Sequence, residues 1–277
     1  MEPIHWYPGH MAKAKRQLTE IVRYLDMIIE VRDARIPLAS FNSDLEDLLR
    51  RRPRLVVLNK SDLAEPAVTT LWTQWFQKQA IPAVVVNGKN GQGVESVWRK
   101  LGETNQAPGN AKKIKRVGVV GIPNVGKSSI LNRLLGTGAA KTGNLPGITR
   151  GKQWVKRNGI EVLDTPGLLP PKIDNPEDGV KLALTGAIRD EIMPMEDLAL
   201  LLIDKYGALV LGQDESLPGL SAIEQLGRFA VKNGFLGKGG TPDLNRAATR
   251  LLKEFRDGHL GRFSLESPPT EPAGASL

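Results

Sequence analysis

Through the first two thirds of the chain, short continuous apolar runs alternate with stretches whose apolar positions recur at helical spacing. The runs "DMIIEV", "RLVVL", "IPAVVV" and "KRVGVV" are compact and unbroken. Runs of this kind predict strands buried on both faces of a mostly parallel sheet. Between them, helical spacing predicts helices over 44–52, 69–79, 93–101 and 127–135. An earlier amphipathic helix is predicted over 10–24, with Leu18, Ile21 and Val22 on one face and Lys13, Lys15, Arg16 and Arg23 on the other. Asn158-Gly159 separates "GKQWVKR" from "IEVLD", a strong hairpin signal. Beyond Asp190 the strand-like runs vanish, and helices are predicted over 197–206, 221–233 and 241–257.

The pattern therefore predicts an α/β domain over 1–190, with a helical extension at its start and helices on both faces of its sheet. A small all-α domain follows over 191–266, then a disordered tail over 267–277. The polar stretch 102–111, "GETNQAPGNA", reads as a linker, and the proline-rich 167–179 as a mobile loop.

Composition narrows the setting. The chain has 277 residues, 40% of them hydrophobic, enough for a substantial core. It has no cysteine, which excludes disulfides and thiolate metal sites and fits a reducing cytoplasm. No apolar run approaches the ~18 residues of a membrane span, and "MEPIHWYPGH" lacks the apolar core of a secretory signal. A net charge of +8 suits a polyanionic partner, although a merely basic surface has the same charge.

Three motifs carry chemistry. "GIPNVGKS", 121–128, fits G-x-x-x-x-G-K-[ST] between a predicted strand and a predicted helix, as a phosphate loop requires. There the backbone of Asn124, Val125, Gly126, Ser128 and Ser129 can turn N–H groups toward phosphates. Lys127 supplies positive charge, and the Ser128 hydroxyl suits Mg²⁺. "DTPG" ends the second strand of the predicted hairpin, placing Asp164 to hold Mg²⁺ through water and Gly167 to sense a terminal phosphate. Thr149 in "LPGITR" lies between these motifs and can offer a third oxygen to Mg²⁺.

"NKSD", 59–62, closes the strand "RLVVL". Guanine presents two adjacent donors that a carboxylate such as Asp62 accepts together; adenine does not. Asn59 can donate to the base or tie loops together, and the Lys60 stem can lie on the ring. The following strand ends in Asn87-Gly88-Lys89, a second lid on the base. Base reader, lid, phosphate loop, threonine loop and Mg²⁺ aspartate thus follow a cyclic permutation of the usual GTPase order. Neighbouring domain termini make such re-ordering compatible with one sheet.

This arrangement resembles the circularly permuted P-loop GTPases. Within them, "WYPGHMAKA", "DARIP", "NKSD", "GIPNVGKSS", "PGITR" and "DTPG" are similar to the ribosome biogenesis GTPase A family. The resemblance covers roughly the first 190 residues by motif and the remainder by order and helical character. It implies GTP binding and hydrolysis to GDP in late maturation of the large (50S) ribosomal subunit, with ribosomal RNA as partner. It implies a cytoplasmic protein, monomeric off the ribosome, without stable membrane association. Leu168 stands where many GTPases carry a water-orienting glutamine, and the resemblance assigns that task to His10; a helix-starting His10 is the alternative. By the same resemblance Asn124 can coordinate K⁺ beside the phosphates. In the last helix, Arg246, Arg250, Lys253 and Arg256 form a basic stripe suited to RNA phosphates. "RRRPR", 50–54, and "KKIKR", 112–116, are further basic runs that a solvated surface also explains. Two alternatives stay open: a nucleotide-gated RNA-binding scaffold with incidental hydrolysis, and a GTPase serving tRNA modification.

Overall fold

The computed structural model describes residues 4–5, 16, 18–43, 46, 52–106, 115–136, 140–142, 154–165, 167–169, 172–173, 175–188, 190, 193–212 and 219–270. They divide into two compact units, 1–174 with 264–277, and 175–263.

In the first unit the chain supplies β1 (Ile4–His5), β2 (Met27–Asp33), β3 (Arg54–Asn59), α1 (Pro66–Lys78), β4 (Ala83–Val85) and α2 (Val94–Gln106). It continues with β5 (Arg116–Val120), α3 (Lys127–Gly136), β6 (Ala140–Thr142), β7 (Trp154–Arg157), β8 (Ile160–Asp164) and β9 (Lys172–Ile173). Seven strands form one sheet in the order β4-β3-β2-β5-β8-β7-β6. From β4 to β8 all neighbours run parallel, and β7 and β6 add an antiparallel edge. β2 and β3 are almost wholly buried, as unbroken apolar runs in a covered parallel sheet should be. The β7–β8 turn places Asn158 at φ 50 and Gly159 at φ 80, the positive pair that a two-residue hairpin demands. Starting the count at β5 and passing from β8 to β2 gives the usual GTPase order, so the sequence is permuted while the sheet is not.

Aromatic residues of α1 anchor one face. Trp72 and Phe76 are fully buried beside Val56 and Leu58, and Trp75 meets Phe76 edge-on at 5.0 Å between ring centroids. α2 corrects the linker expectation, since it runs through Gly102 to Gln106. Arg99 and Lys100 reach Glu103, and Thr104 donates to the Lys100 carbonyl, interactions that sustain the extra turn. Residues 107–111 of that stretch are outside the described residues.

The second unit holds α4 (Pro176–Leu184), α5 (Met195–Val210), α6 (Ala222–Lys232) and α7 (Leu244–Asp257). α4 starts inside the segment expected to be a mobile loop, because Asn175 caps it by accepting from Glu177 N–H and Pro176 sets its first turn. It packs against α5, which moves the boundary from the expected 190 back to 174. α7 begins later than expected, with Asp243 rather than Thr241 as its cap. Leu202, Leu226, Ala248, Leu251 and Phe255 fill the core of this unit.

At Ser264 the chain rejoins the first unit. Leu265 N–H donates to the Arg35 carbonyl at 2.9 Å, and the Glu266 carboxylate accepts from Leu38 and Ala39 N–H at 2.7 and 3.0 Å. Residues 264–266, expected to finish the helical domain, are therefore a strap on the GTPase unit. Residues 271–277 of the expected tail lie outside the described residues.

Candidate functional site

Parallel strands aim their carboxyl ends in one direction, and the switch in strand order between β2 and β5 opens a crevice there. The loops after β2, β3, β4, β5 and β8 all leave from that edge. Asn59, the last residue of β3, is buried among them. Its Nδ2 donates to the Val125 carbonyl of the phosphate loop at 2.7 Å, while its Oδ1 accepts from Gly88 N–H of the lid at 2.9 Å. One side chain thus ties three loops. Gly126 lies so close that a Cβ there would stand 2.2 Å from Asn59 Nδ2, at a φ of 94° that already disfavours a side chain. A Cβ at Gly88 would come within 2.9 Å of Asn59 Oδ1.

Lys60 adopts a φ of 61° and pairs through Nζ with Asp33 Oδ2 at 3.0 Å. Asp33, at the end of β2, also receives Arg35 Nη2 at 2.9 Å and Arg35 Nε and backbone N–H at 3.0 Å. Burial alone would raise the Asp33 pKa, but the charges of Arg35 and Lys60 and the Arg35 hydrogen bonds outweigh it and hold the carboxyl well below the usual carboxylate range. Asp62 is half-buried, and its carboxylate meets no protein donor among the described residues. Asn87 shapes the lid loop, its Oδ1 accepting from Lys89 N–H at 2.8 Å and Asn90 N–H at 3.2 Å. Arg133 of α3 reaches the Gly88 and Lys89 carbonyls and secures the lid to the phosphate-loop helix. Its helical sequence context gave no sign of this.

On the phosphate side, β5 leads into the loop 121–126 and then α3. Lys127 is buried, with Nζ donating to the Ile122 carbonyl at 2.8 Å. Asn124, Ser128 and Ser129 are exposed, and Asn124 has a left-handed φ of 59°. Gly167 presses on this loop: a Cβ there would stand 2.7 Å from Lys127 Nζ and 3.0 Å from Pro123 backbone. Leu168 N–H donates to the Gly121 carbonyl at 3.2 Å, and Asn42 Nδ2 holds the Leu168 carbonyl at 2.9 Å. Leu168 is 3% exposed, so the residue after the D-x-x-G glycine packs inward. Asp164 pairs in register with Val119, two positions before Gly121. Its side chain, like all of His10 and Thr149, lies outside the described residues.

In the helical unit, α7 presents Arg246 over the Phe235 ring at 4.9 Å, Arg250 paired with Glu254 at 2.6 Å, and an exposed Lys253. Arg256 departs from the expected stripe. Its guanidinium donates to the Leu184 and Ala183 carbonyls and grips Asp190 at 2.6 Å. It holds α7 to the end of α4 instead of facing outward.

The family described as 50S ribosome-binding GTPase matches residues 116–230, from β5 into α6. Ribosome biogenesis GTPase A of Bacillus licheniformis is 38% identical over 283 residues, covering 96% of this chain and 98% of the relative. Its counterpart in Thermotoga maritima is 35% identical, covering 95% and 94%. Mitochondrial ribosome-associated GTPase 1 of Mus musculus is 33% identical, covering 94% and 89%. Among solved structures, GDP-bound YlqF superposes with a TM-score of 0.72 at 29% identity, covering 91% of this chain and 99% of that one. GNP-bound YlqF from T. maritima, a complex with a GTP analogue, gives 0.71 at 31% identity, covering 92% and 98%. With near-complete mutual coverage, this chain belongs to the ribosome biogenesis GTPase A family and is a guanine-nucleotide-binding GTP hydrolase.

Proposed function

We propose that this hydrolase serves assembly of the large ribosomal subunit, docking on its RNA with GTP bound and leaving after hydrolysis. The observation that carries the nucleotide half is the Asn59 bridge from Val125 to Gly88, which joins base reader, phosphate loop and lid. The ribosomal half is supported by the 50S ribosome-binding description of the matching family and by the relatives' names. Asp62 accepts from guanine N1–H and N2–H, and the Lys60 stem, steadied by Asp33, lies along the ring. The backbone from Asn124 to Ser129 and the Lys127 ammonium receive the phosphates at the start of α3, with Gly167 N–H at the terminal one.

Ser128, Thr149 and Asp164 would hold Mg²⁺. The fit rests on an exposed Ser128 at the head of α3 and on Asp164 in register beside the end of β5. Hydroxyl and carboxylate oxygens are the hard ligands that Mg²⁺ takes together with phosphates. When bound, the ion would supply positive charge against the negative charge that develops during phosphoryl transfer. Asn124 is the protein ligand offered to K⁺. Because Leu168 is buried and cannot bond water, His10 is the residue that orients the attacking water. On the RNA side Arg246, Arg250 and Lys253 bind phosphates, leaving Arg256 structural. Among the described residues no helix is long and apolar enough to cross a membrane. We take the protein to be a cytoplasmic monomer off the ribosome.

Single-turnover hydrolysis with and without purified large subunits tests the proposal. Acceleration by large subunits and not by small ones is expected; equal rates throughout would leave the scaffold reading in its place.

A further inference from the structure

The described ends of the two basic runs that the nucleotide site leaves unused, 52–54 and 115–116, meet at the opposite edge of the sheet. Arg52 leads into β3, and Lys115 and Arg116 lead into β5; β2 lies between them, entered through Arg23, Tyr24 and Asp26. These residues line a cavity of about 610 Å³ at the amino ends of the strands, together with Lys156 at its rim. β2 has seven residues; at about 3.3 Å each, roughly 20 Å separates this cavity from the carboxyl-end crevice.

The lining is strongly basic, with five cationic side chains against two carboxylates, Asp26 and Glu161. Asp26 is already engaged, its Oδ2 accepting from Lys115 and Arg116 N–H at 3.0 and 3.1 Å. Glu161 is shared loosely between Arg116 at 3.9 Å and Lys156 at 3.7 Å. Among the described residues, the side chains of Arg23, Arg52 and Lys115 pair with no carboxylate. Arg52 donates to the Arg23 carbonyl at 3.3 Å, which holds its guanidinium at the entry to β2. Tyr24 stands among these charges 57% exposed, its ring open to a stacking partner.

We propose that this cavity is a second RNA-binding site, taking the phosphates of an unpaired RNA segment on Arg23, Arg52 and Lys115 and stacking one base on Tyr24. Cations along a groove with an interleaved aromatic ring are how single strands are held without base readout. Duplex bases are not available to a ring in this way. A free nucleotide is disfavoured because its pockets bury most of the ligand, whereas Arg23, Tyr24 and Lys115 all lie open to solvent. The inference rests on RNA being the partner, the reading proposed above, but assigns it to a surface of the first unit rather than to α7.

The test uses the full chain and a fluorescein-labelled single-stranded oligouridylate, with anisotropy measured across a salt series. The Arg23→Ala/Arg52→Ala/Lys115→Ala variant should lose about tenfold or more in affinity and flatten the salt slope by about 2, one increment of ~0.7 per phosphate contact. Tyr24→Ala should weaken binding roughly tenfold with little change in slope. All variants should keep their affinity for a fluorescent GTP analogue, which confirms the fold. A parallel Arg246→Ala/Arg250→Ala/Lys253→Ala variant separates the two readings. Loss only in that α7 variant overturns the cavity and keeps RNA as partner, while loss in none overturns both. A protein partner in place of RNA would show as unchanged oligouridylate binding by the cavity variants, and that also counts against the proposal.

Discussion

At the end of β2 the Asp33 carboxylate is buried yet charged, since Arg35 and Lys60 surround it with compensating charge. Its pKa lies below the unfolded reference of 3.8, so the stabilisation it gives is complete above that value and disappears as pH falls through the folded one. Asp33→Asn leaves Arg35 buried without its counter-charge and should cost about 3–5 kcal/mol at neutral pH, read from urea unfolding. The same variant should lose less stability than the wild type on acidification below pH ~4, and parallel acid limbs would refute this assignment. The residue scale is also where sequence reading was most uneven. Asn59, Lys60 and Asp62 declared themselves through "NKSD", and the structure brings Asn59 to the phosphate loop and lid as a loop tie. Asp33 and Arg35 were visible as "DARIP" but without a partner, because nothing local says that Lys60 sits across the strand end. Arg256 was read as RNA-facing from its place in a helical basic stripe, and tertiary contact turns it to the Ala183 and Leu184 carbonyls and Asp190.

Among the elements, the strands and the phosphate-loop helix were legible because their periodicity is local and strong. The remaining differences have separate causes. The extension of α2 through Gly102 carries ion pairs along its own surface, which offset part of the glycine's cost of roughly 1 kcal/mol. The cap at Asn175-Pro176 was hidden inside a proline-rich run that resembles a loop. The strap at 264–266 depends on Glu266 meeting Leu38 and Ala39, a pairing between residues far apart in sequence with no local signature. Glu266→Ala should strip two backbone N–H groups of their acceptor and destabilise the GTPase unit by about 1–3 kcal/mol. Thermal unfolding of Glu266→Ala and Glu266→Gln checks this; a midpoint unchanged in both would show that water replaces the carboxylate freely.

For the whole molecule, the order of motifs was enough to identify a permuted GTPase, since the sheet that those motifs decorate is conventional. The division into units was less legible, because the amphipathic α4 could have packed on either side and only tertiary contact assigns it to the helices. Leu168 packs inward, and the proposed mechanism takes its water-orienting group from the N-terminal segment. His10→Ala should therefore bind GTP normally while subunit-stimulated single-turnover hydrolysis falls by about 10²-fold or more. A rate equal to the wild type would return His10 to a structural role. The central claim is that a base reader placed before the phosphate loop still governs the same site. It is tested most directly by comparing subunit-stimulated hydrolysis of GTP and XTP by the wild type and Asp62→Asn. The account predicts that the wild type turns over GTP and not XTP, and that Asp62→Asn reverses the preference. An Asp62→Asn protein that still selects GTP over XTP would contradict it.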